Sequence, residues 1–196
     1  MVAAYHLIWT AYGYWLPNDP RGSSSQDLRH KKFAPLGDVH FGRKEIQPPS
    51  QDLRKFYREA DSLLEHSRLL FTDAEIALIG TSFGNTISRQ GYTCYACAVM
   101  PDHVHLLIGR HRDSAEQMIA NLQEDSKKAI IHADCRPVNH PVWAGPGWKV
   151  FLNTRKDIEI RIQYIQENPI KSGRPAQLWD FVQEYNGWLP RPNLEY

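Results

Sequence analysis

The chain has 196 residues, of which 42% are hydrophobic and 23% charged, with a formal net charge of +1. That length allows one domain with a substantial core, and the balance is ordinary for a soluble globular protein. It excludes a strongly basic DNA-coating protein, so any nucleic-acid surface must come from local charge.

Residues 3–12 alternate and are aromatic, which predicts a first strand. Residues 17–50 are rich in Pro, Gly, Ser and charge and read as a loop or partly ordered insertion. Residues 51–67 predict a helix with Leu53, Phe56, Tyr57, Ala60, Leu63 and Leu64 on one face. A second helix over 72–90 is opened by Thr72 as N-cap and closed near Gly91. Residues 92–100 and 103–108 form a predicted hairpin around Pro101-Asp102. A helix follows over 114–133, with Met118, Leu122 and Ala129 on its apolar side. A short strand over 148–152 and a helix over 154–168 come next, and 176–185 read as a final short helix. The order strand, helix, hairpin, helix, strand predicts an α+β fold, a ferredoxin-like sandwich. Its antiparallel sheet would carry helices on one face and the 154–168 helix near the open face. The whole of 1–196 reads as one domain, with an insertion at about 17–70 and a C-terminal tail at about 174–196 expected to be peripheral.

No run of about 18 apolar residues occurs, which excludes a membrane-spanning helix. The N-terminal apolar run is broken by Tyr5 and His6 and has no basic leader pattern, so a cytoplasmic location is expected. The three cysteines argue against a disulfide framework. Cys94 and Cys97, three apart on a strand, are expected on opposite faces as small core residues.

Two patterns carry chemistry. The first is His103-Val104-His105 followed by Leu106, Leu107 and Ile108. Side chains at i and i+2 of a strand share a face, so both imidazoles project together while Val104, Leu106 and Ile108 pack behind. Nine histidines in 196 residues give roughly 0.4 such triplets by chance, so the triplet alone carries little weight. Two partly exposed histidines on a sheet face is the bland alternative. The second pattern is Tyr164 with Asn168, neighbours at i, i+4 on a helix striped by Ile158, Ile162 and Ile165. Thr154 and Asp157 resemble a capping box, and Pro169 predicts a helix end at about Asn168. Here an ordinary boundary tyrosine and a terminating asparagine are the bland alternative. Basic groups cluster at Arg29-His30-Lys31-Lys32, Arg43-Lys44, Arg54-Lys55 with Arg58, Lys127-Lys128, and Arg155-Lys156 with Arg161. Among 6 Trp and 9 Tyr, they suit a basic groove with stacking platforms for a single strand.

Together these motifs resemble the HUH endonucleases, and among them the single-tyrosine transposases: the REP-associated enzymes and their insertion-sequence relatives. The likeness lies in Met100-Pro101-Asp102-His103-Val104-His105-Leu106-Leu107-Ile108, in Tyr164 with Asn168 and Pro169, and in Lys171-Ser172-Gly173. The opening Ile8-Trp9-Thr10-Ala11-Tyr12-Gly13-Tyr14-Trp15-Leu16-Pro17 with Asp19-Pro20-Arg21-Gly22 adds to it. Residues 23–70 and the tail after 174 lie outside the likeness. The resemblance implies the same ferredoxin-like fold and a transposase that nicks and joins single-stranded DNA, usually beside a hairpin. Tyr164 would be the nucleophile, forming a 5′-phosphotyrosyl link and leaving a free 3′-OH. His103, His105 and Asn168 would be ligands of a divalent metal, Mg²⁺ or Mn²⁺, the latter accepting imidazole more readily. Asp102 or Arg161 would assist. Insertion-sequence relatives act as dimers and REP-associated ones as monomers, so both monomer and homodimer stay open. A DNA hairpin-binding module that no longer transposes is the alternative. A zinc hydrolase unrelated to DNA would normally add another His, Cys or carboxylate ligand, and none with typical spacing stands out.

Overall fold

The computed structural model describes residues 1–23, 31–42 and 44–190. Of the basic clusters, Arg29, His30 and Arg43 lie outside the described residues, as do tail residues 191–196. The elements are β1 (Ala4–Ala11), a 3₁₀ turn (Lys31–Leu36), α1 (Ser50–Asp61), α2 (Asp73–Gln90), β2 (Cys94–Val99), β3 (His103–Gly109), α3 (Ala115–His132), β4 (Trp143–Leu152) and α4 (Arg155–Lys171). The four strands form one sheet in the order β2-β3-β1-β4, every neighbouring pair antiparallel. Leaving the insertion aside, β1-α2-β2-β3-α3-β4 is the ferredoxin-like order expected from the sequence. It makes β1 and β3 the central, adjacent strands.

Local chemistry fixes the helix ends. The Thr72 hydroxyl accepts from the Glu75 N–H at 3.3 Å, and the Glu75 carboxylate accepts from the Thr72 N–H at 2.8 Å. Ser114 and Gln117 repeat this capping box at the start of α3. Gly91, at φ +73°, closes α2 in the left-handed conformation that glycine adopts without strain. Helices α2 and α3 cover one sheet face. Ile79, Phe83, Met118 and Leu122 pack there on Leu7, Trp9, Val104, Leu106 and Ile108. Each such side chain stabilises the fold by about 1.5–3 kcal/mol when fully buried.

Helix α4 lies on the opposite face. Its Ile158 and Ile165 pack on Ala4, Ala96, Ala98, Leu107 and Leu152. Three alanines in that seat leave room for the helix backbone to approach the strands closely.

Five elements depart from the sequence reading. Helix α1 ends at Asp61, although Leu63 and Leu64 still pack against its cluster. Helix α4 runs through Pro169 to Lys171. Proline removes a single hydrogen bond near the helix end, and the Ser172 N–H and hydroxyl close that end on the Asn168 carbonyl. Strand β4 starts at Trp143, five residues before the expected point, because Gly145-Pro146-Gly147 forms a bulge that breaks the pattern. Cys94 and Cys97 share one core cluster instead of opposite faces, since a bulge between Cys94 and Ala96 shifts the register. No helix forms over 176–185. Gln177 instead pairs with both backbone groups of Val99, and Val182 bridges Cys94. Trp179 and Phe181 settle over Gly80 and Gly84 of α2. This part of the tail therefore seals the β2 edge and packs against the core, where it had been expected to be peripheral.

Candidate active site

The β2–β3 turn is pinned from three sides. Met100 N–H donates to the His103 carbonyl at 2.7 Å, Ala11 N–H to Asp102 and Phe71 N–H to Pro101, each at 2.8 Å. Strand β3 leaves this turn with Val104, Leu106 and Ile108 in the α2/α3 core. Alternation then sends His103, His105 and Leu107 to the α4 face. On β1, alternation sends Ala4, His6, Ile8 and Thr10 to that face as well. The register sets His6 opposite Leu107, Ile8 opposite His105 and Thr10 opposite His103.

Three imidazoles therefore meet. The ring centroids of His103 and His105 lie 4.9 Å apart, and those of His6 and His105 5.0 Å apart. His6 Nε2 is 2.9 Å from His105 Nδ1, and one hydrogen between them makes the bond. His103 Nδ1–H donates to Asp102 Oδ1 at 2.6 Å. Tyr164, on α4, presents its ring edge-on to both buried imidazoles, 5.6 Å from His105 and 6.2 Å from His6. The Arg161 guanidinium lies 5.6 Å from the centre of the Tyr164 ring. Tyr164 is 38% exposed, whereas His6 is wholly buried and His105 nearly so.

Electrostatics keeps the buried pair neutral. Burial, aided by the Arg161 charge, pushes His6 down to about 3. Burial, with His103, His6 and Arg161 adding to it, holds His105 well below the usual histidine range. For Asp102, burial acts to raise the carboxyl, but the hydrogen bond and charge of His103 and the charge of Arg21 outweigh it and leave it below the ordinary range. Arg21 belongs to the segment after β1. Its guanidinium forks onto Asp19, sits 4.4 Å over the Trp15 ring and donates to the Tyr57 hydroxyl at 2.6 Å. Tyr57 in turn donates to the buried Asp19 carboxylate. This network places the 14–23 segment beside the hairpin turn.

The donor chemistry fits a divalent cation. Both β3 histidines use Nδ1 for an internal bond, which among the described residues leaves His103 Nε2 and His105 Nε2 without a hydrogen-bond partner. A partner at Nδ1 is the usual support of a ligating histidine. Among the described residues no group of three or more His, Cys, Asp or Glu side chains forms a cation cage, which is not the pattern of a structural zinc centre. Asn168 lies one turn beyond Tyr164 and is half-buried. Its backbone carbonyl caps the helix end, and among the described residues its side chain forms no hydrogen bond.

One site residue lies outside every sequence motif, and a second lies in a motif that does not reveal its role. His6 was read only as an interruption of an apolar run. Its position on the polar phase of β1, next to β3 in a ferredoxin-like order, was the available signal. Arg21 belongs to the Asp19-Pro20-Arg21-Gly22 stretch of the resemblance, but nothing local in that loop-like composition points to Asp102. Several basic clusters prove internally engaged: Lys55 pairs with Glu59, Lys128 with Glu124, and Arg155 donates to the Gly187 carbonyl.

No helix among the described residues is long and apolar enough to cross a membrane. No protein-family model and no curated protein matches the chain. Solved structures do resemble it, among them two transposase structures. One is a REP-associated tyrosine transposase bound to a REP hairpin, with 12% identity and a TM-score of 0.46, covering 87% of this chain and 68% of that one. The other is a candidate transposase from Deinococcus radiodurans R1, with 15% identity and a TM-score of 0.41, covering 90% of this chain and 94% of that one. At such distances function has to be argued from the side chains of the site.

Proposed function

We propose that this protein is a DNA transposase that nicks and rejoins single-stranded DNA, hairpin-bearing in its natural form, through a covalent link to Tyr164. The observation that carries the reading is the meeting of Tyr164 with the histidine cluster. An exposed phenol on α4 lies against imidazoles of the two central strands, with an arginine at its ring.

In this reading Tyr164 Oη attacks the scissile phosphorus. The new P–Oη bond replaces the P–O3′ bond, so the products are a 5′-phosphotyrosine and a free 3′-OH, which takes up the phenolic proton. The phosphotyrosine ester conserves the energy of the broken bond, so the reverse attack by a 3′-OH rejoins a strand without a nucleotide cofactor. A neutral phenol is a weak nucleophile, and a bound Mg²⁺ or Mn²⁺ would supply Lewis-acid polarisation of the phosphate. His103 Nε2 and His105 Nε2 would hold that ion, with the Asn168 amide as the third protein ligand. Asp102 and His6 would hold the two imidazoles in the tautomer that ligation needs. Arg161 would offset charge on the phosphate.

The test is incubation of hairpin-bearing single strands with the protein and Mn²⁺ or Mg²⁺, followed by a denaturing gel. Wild type is expected to form a protein–DNA adduct, and Tyr164→Phe none. Fold and strand binding should persist in the variant, because the helix stripe rests on Ile158 and Ile165 and no packing depends on the lost hydroxyl. An adduct on the Phe variant would move the nucleophile to another residue. A wild type that forms none on any hairpin strand would favour a binding module.

A further inference from the structure

Helix α4 covers only part of its sheet face. Its apolar contacts seat it over Leu152, Ala4, Leu107, Ala96 and Ala98. The row Trp148–Ile8–His105–Ala98 by register runs from beneath the helix out to the β4 edge. At its β4 end, Trp148 is 38% exposed. Phe41, 56% exposed, lies against it with ring centroids 6.2 Å apart and planes tilted by 49°.

Both rings are held by deliberate backbone features. Trp148 follows the Gly145-Pro146-Gly147 bulge, where Gly147, at φ +77°, passes so close to β1 that a Cβ would meet the Ile8 carbonyl oxygen at 2.8 Å. Gln123 anchors the bulge by donating to the Gly145 carbonyl. Bulges commonly re-aim a side chain next to an active site. Phe41 is presented by a short bridge to Ser23, closed by Ser23 N–H to His40 and Gly42 N–H to Ser23, each at 2.8 Å. Gly22 must stay glycine there, since a Cβ would collide with the Gly42 carbonyl oxygen. The same strip of chain carries Arg21, whose charge acts on Asp102 beside His103. The described part of the insertion thus meets the protein at both places, Arg21 near the hairpin turn and Phe41 at the β4 edge.

We infer that Trp148 and Phe41 form a stacking platform for an unpaired base of the DNA strand, a few nucleotides from the phosphate held at the histidines. This rests on the reading of the site as one for single-stranded DNA. Large exposed aromatic rings do nothing for the core, and every base has a π-face that such rings accept. Trp148 and His105 are two strand spacings apart, about 10 Å. At about 3.4 Å per nucleotide, or more in an extended strand, that separates base and phosphate by roughly two or three nucleotides. The occupant is a nucleobase rather than a protein partner because the row that carries Trp148 also carries His105, against which Tyr164 lies.

The experiment measures binding of fluorescein-labelled oligothymidylate to the full chain by anisotropy, with EDTA present so that neither metal nor cleavage contributes. Trp148→Ala and Phe41→Ala are each expected to weaken binding about 5- to 150-fold, with thermal stability close to wild type. Trp148→Phe should restore most of the affinity, because it keeps a ring. Ultraviolet crosslinking of the same strand should map to the peptides containing Trp148 and Phe41. Equal affinity for wild type and both alanine variants would overturn the platform, even if the Tyr164 adduct forms normally. Loss of affinity in the variants, in a wild type that never forms an adduct, would uphold the platform and overturn the nucleophile. A change in oligomeric size without loss of strand binding would overturn it in favour of self-association.

Discussion

Replacing His6 by leucine tests whether this residue orients His105 for the proposed metal. His6 is wholly buried and its Nε2 is bonded to His105 Nδ1 at 2.9 Å, while His6 Nδ1 has no partner among the described residues. A cation at His105 Nε2 requires the hydrogen on His105 Nδ1, so His6 Nε2 must accept it. Losing such an outer partner costs about 10- to 100-fold in metal affinity, or roughly 1.4–2.7 kcal/mol. Stability should move far less. Leucine fills a similar volume and removes the unpartnered nitrogen, a gain of about 1–3 kcal/mol, but it strands His105 Nδ1 at a similar cost. A net change of about 1 kcal/mol would shift Tm by only about 2–4 °C in a chain of this size. The assay is Mn²⁺ titration of the DNA-free protein, reading free ion by electron paramagnetic resonance. His6→Gln, which keeps an acceptor on a flexible stem, should recover part of the affinity. Were His6→Leu to bind Mn²⁺ as tightly as wild type while folded, His6 would have no role in setting the His105 tautomer.

Other outcomes follow from the packing. Tyr57→Phe should cost about 1–3 kcal/mol in urea unfolding, since its hydroxyl serves Asp19, Arg21 and the Trp15 N–H inside the protein; no change would dismiss that network as structural support. Gly80→Ala should destabilise despite alanine's better helix propensity of about 1 kcal/mol, because its Cβ would sit 2.1 Å from the Trp179 ring; a rise in stability would show that the tail does not pack there. Of the three cysteines, a thiol reagent should modify only Cys135 in the native protein. Cys94 and Cys97 are buried, which pushes the Cys94 thiol up to about 12, and fast labelling of either would contradict the buried β2 strand.

What the sequence revealed of this fold followed the range of the interactions involved. Thr72 with Glu75, Ser114 with Gln117, and Gly91 act within one helical turn, and their helix ends fall close to where the residues place them. The alternation of His103 to Ile108 likewise assigns each side chain to its face. Features set by distant parts of the chain were not legible. His6 meets His105 across 99 residues of sequence, and only the strand order makes them neighbours. Trp179 and Phe181 have no periodicity of their own; their place is defined by the bare surface at Gly80 and Gly84. The two bulges, at Cys94–Ala96 and at Gly145–Gly147, shift register in ways that simple alternation cannot register.

The same distinction bears on Tyr164, the proposed nucleophile. The isoleucine stripe of α4 was plain in the sequence, but not the seat that receives it. Ile158 and Ile165 settle over Ala4, Ala96, Ala98, Leu107 and Leu152, residues scattered over four strands. Tyr164 precedes Ile165, so the fit of that one side chain fixes how the phenol meets the histidines. A slip of α4 by one turn would carry Tyr164 about 5.4 Å along the face, a displacement comparable with its whole present separation from the His105 ring. The small residues under α4 therefore have a role beyond cohesion. A larger side chain at Ala96 or Ala98 would lift or tilt the helix and separate phenol from imidazole, leaving every site residue in place in the sequence while the site itself came apart.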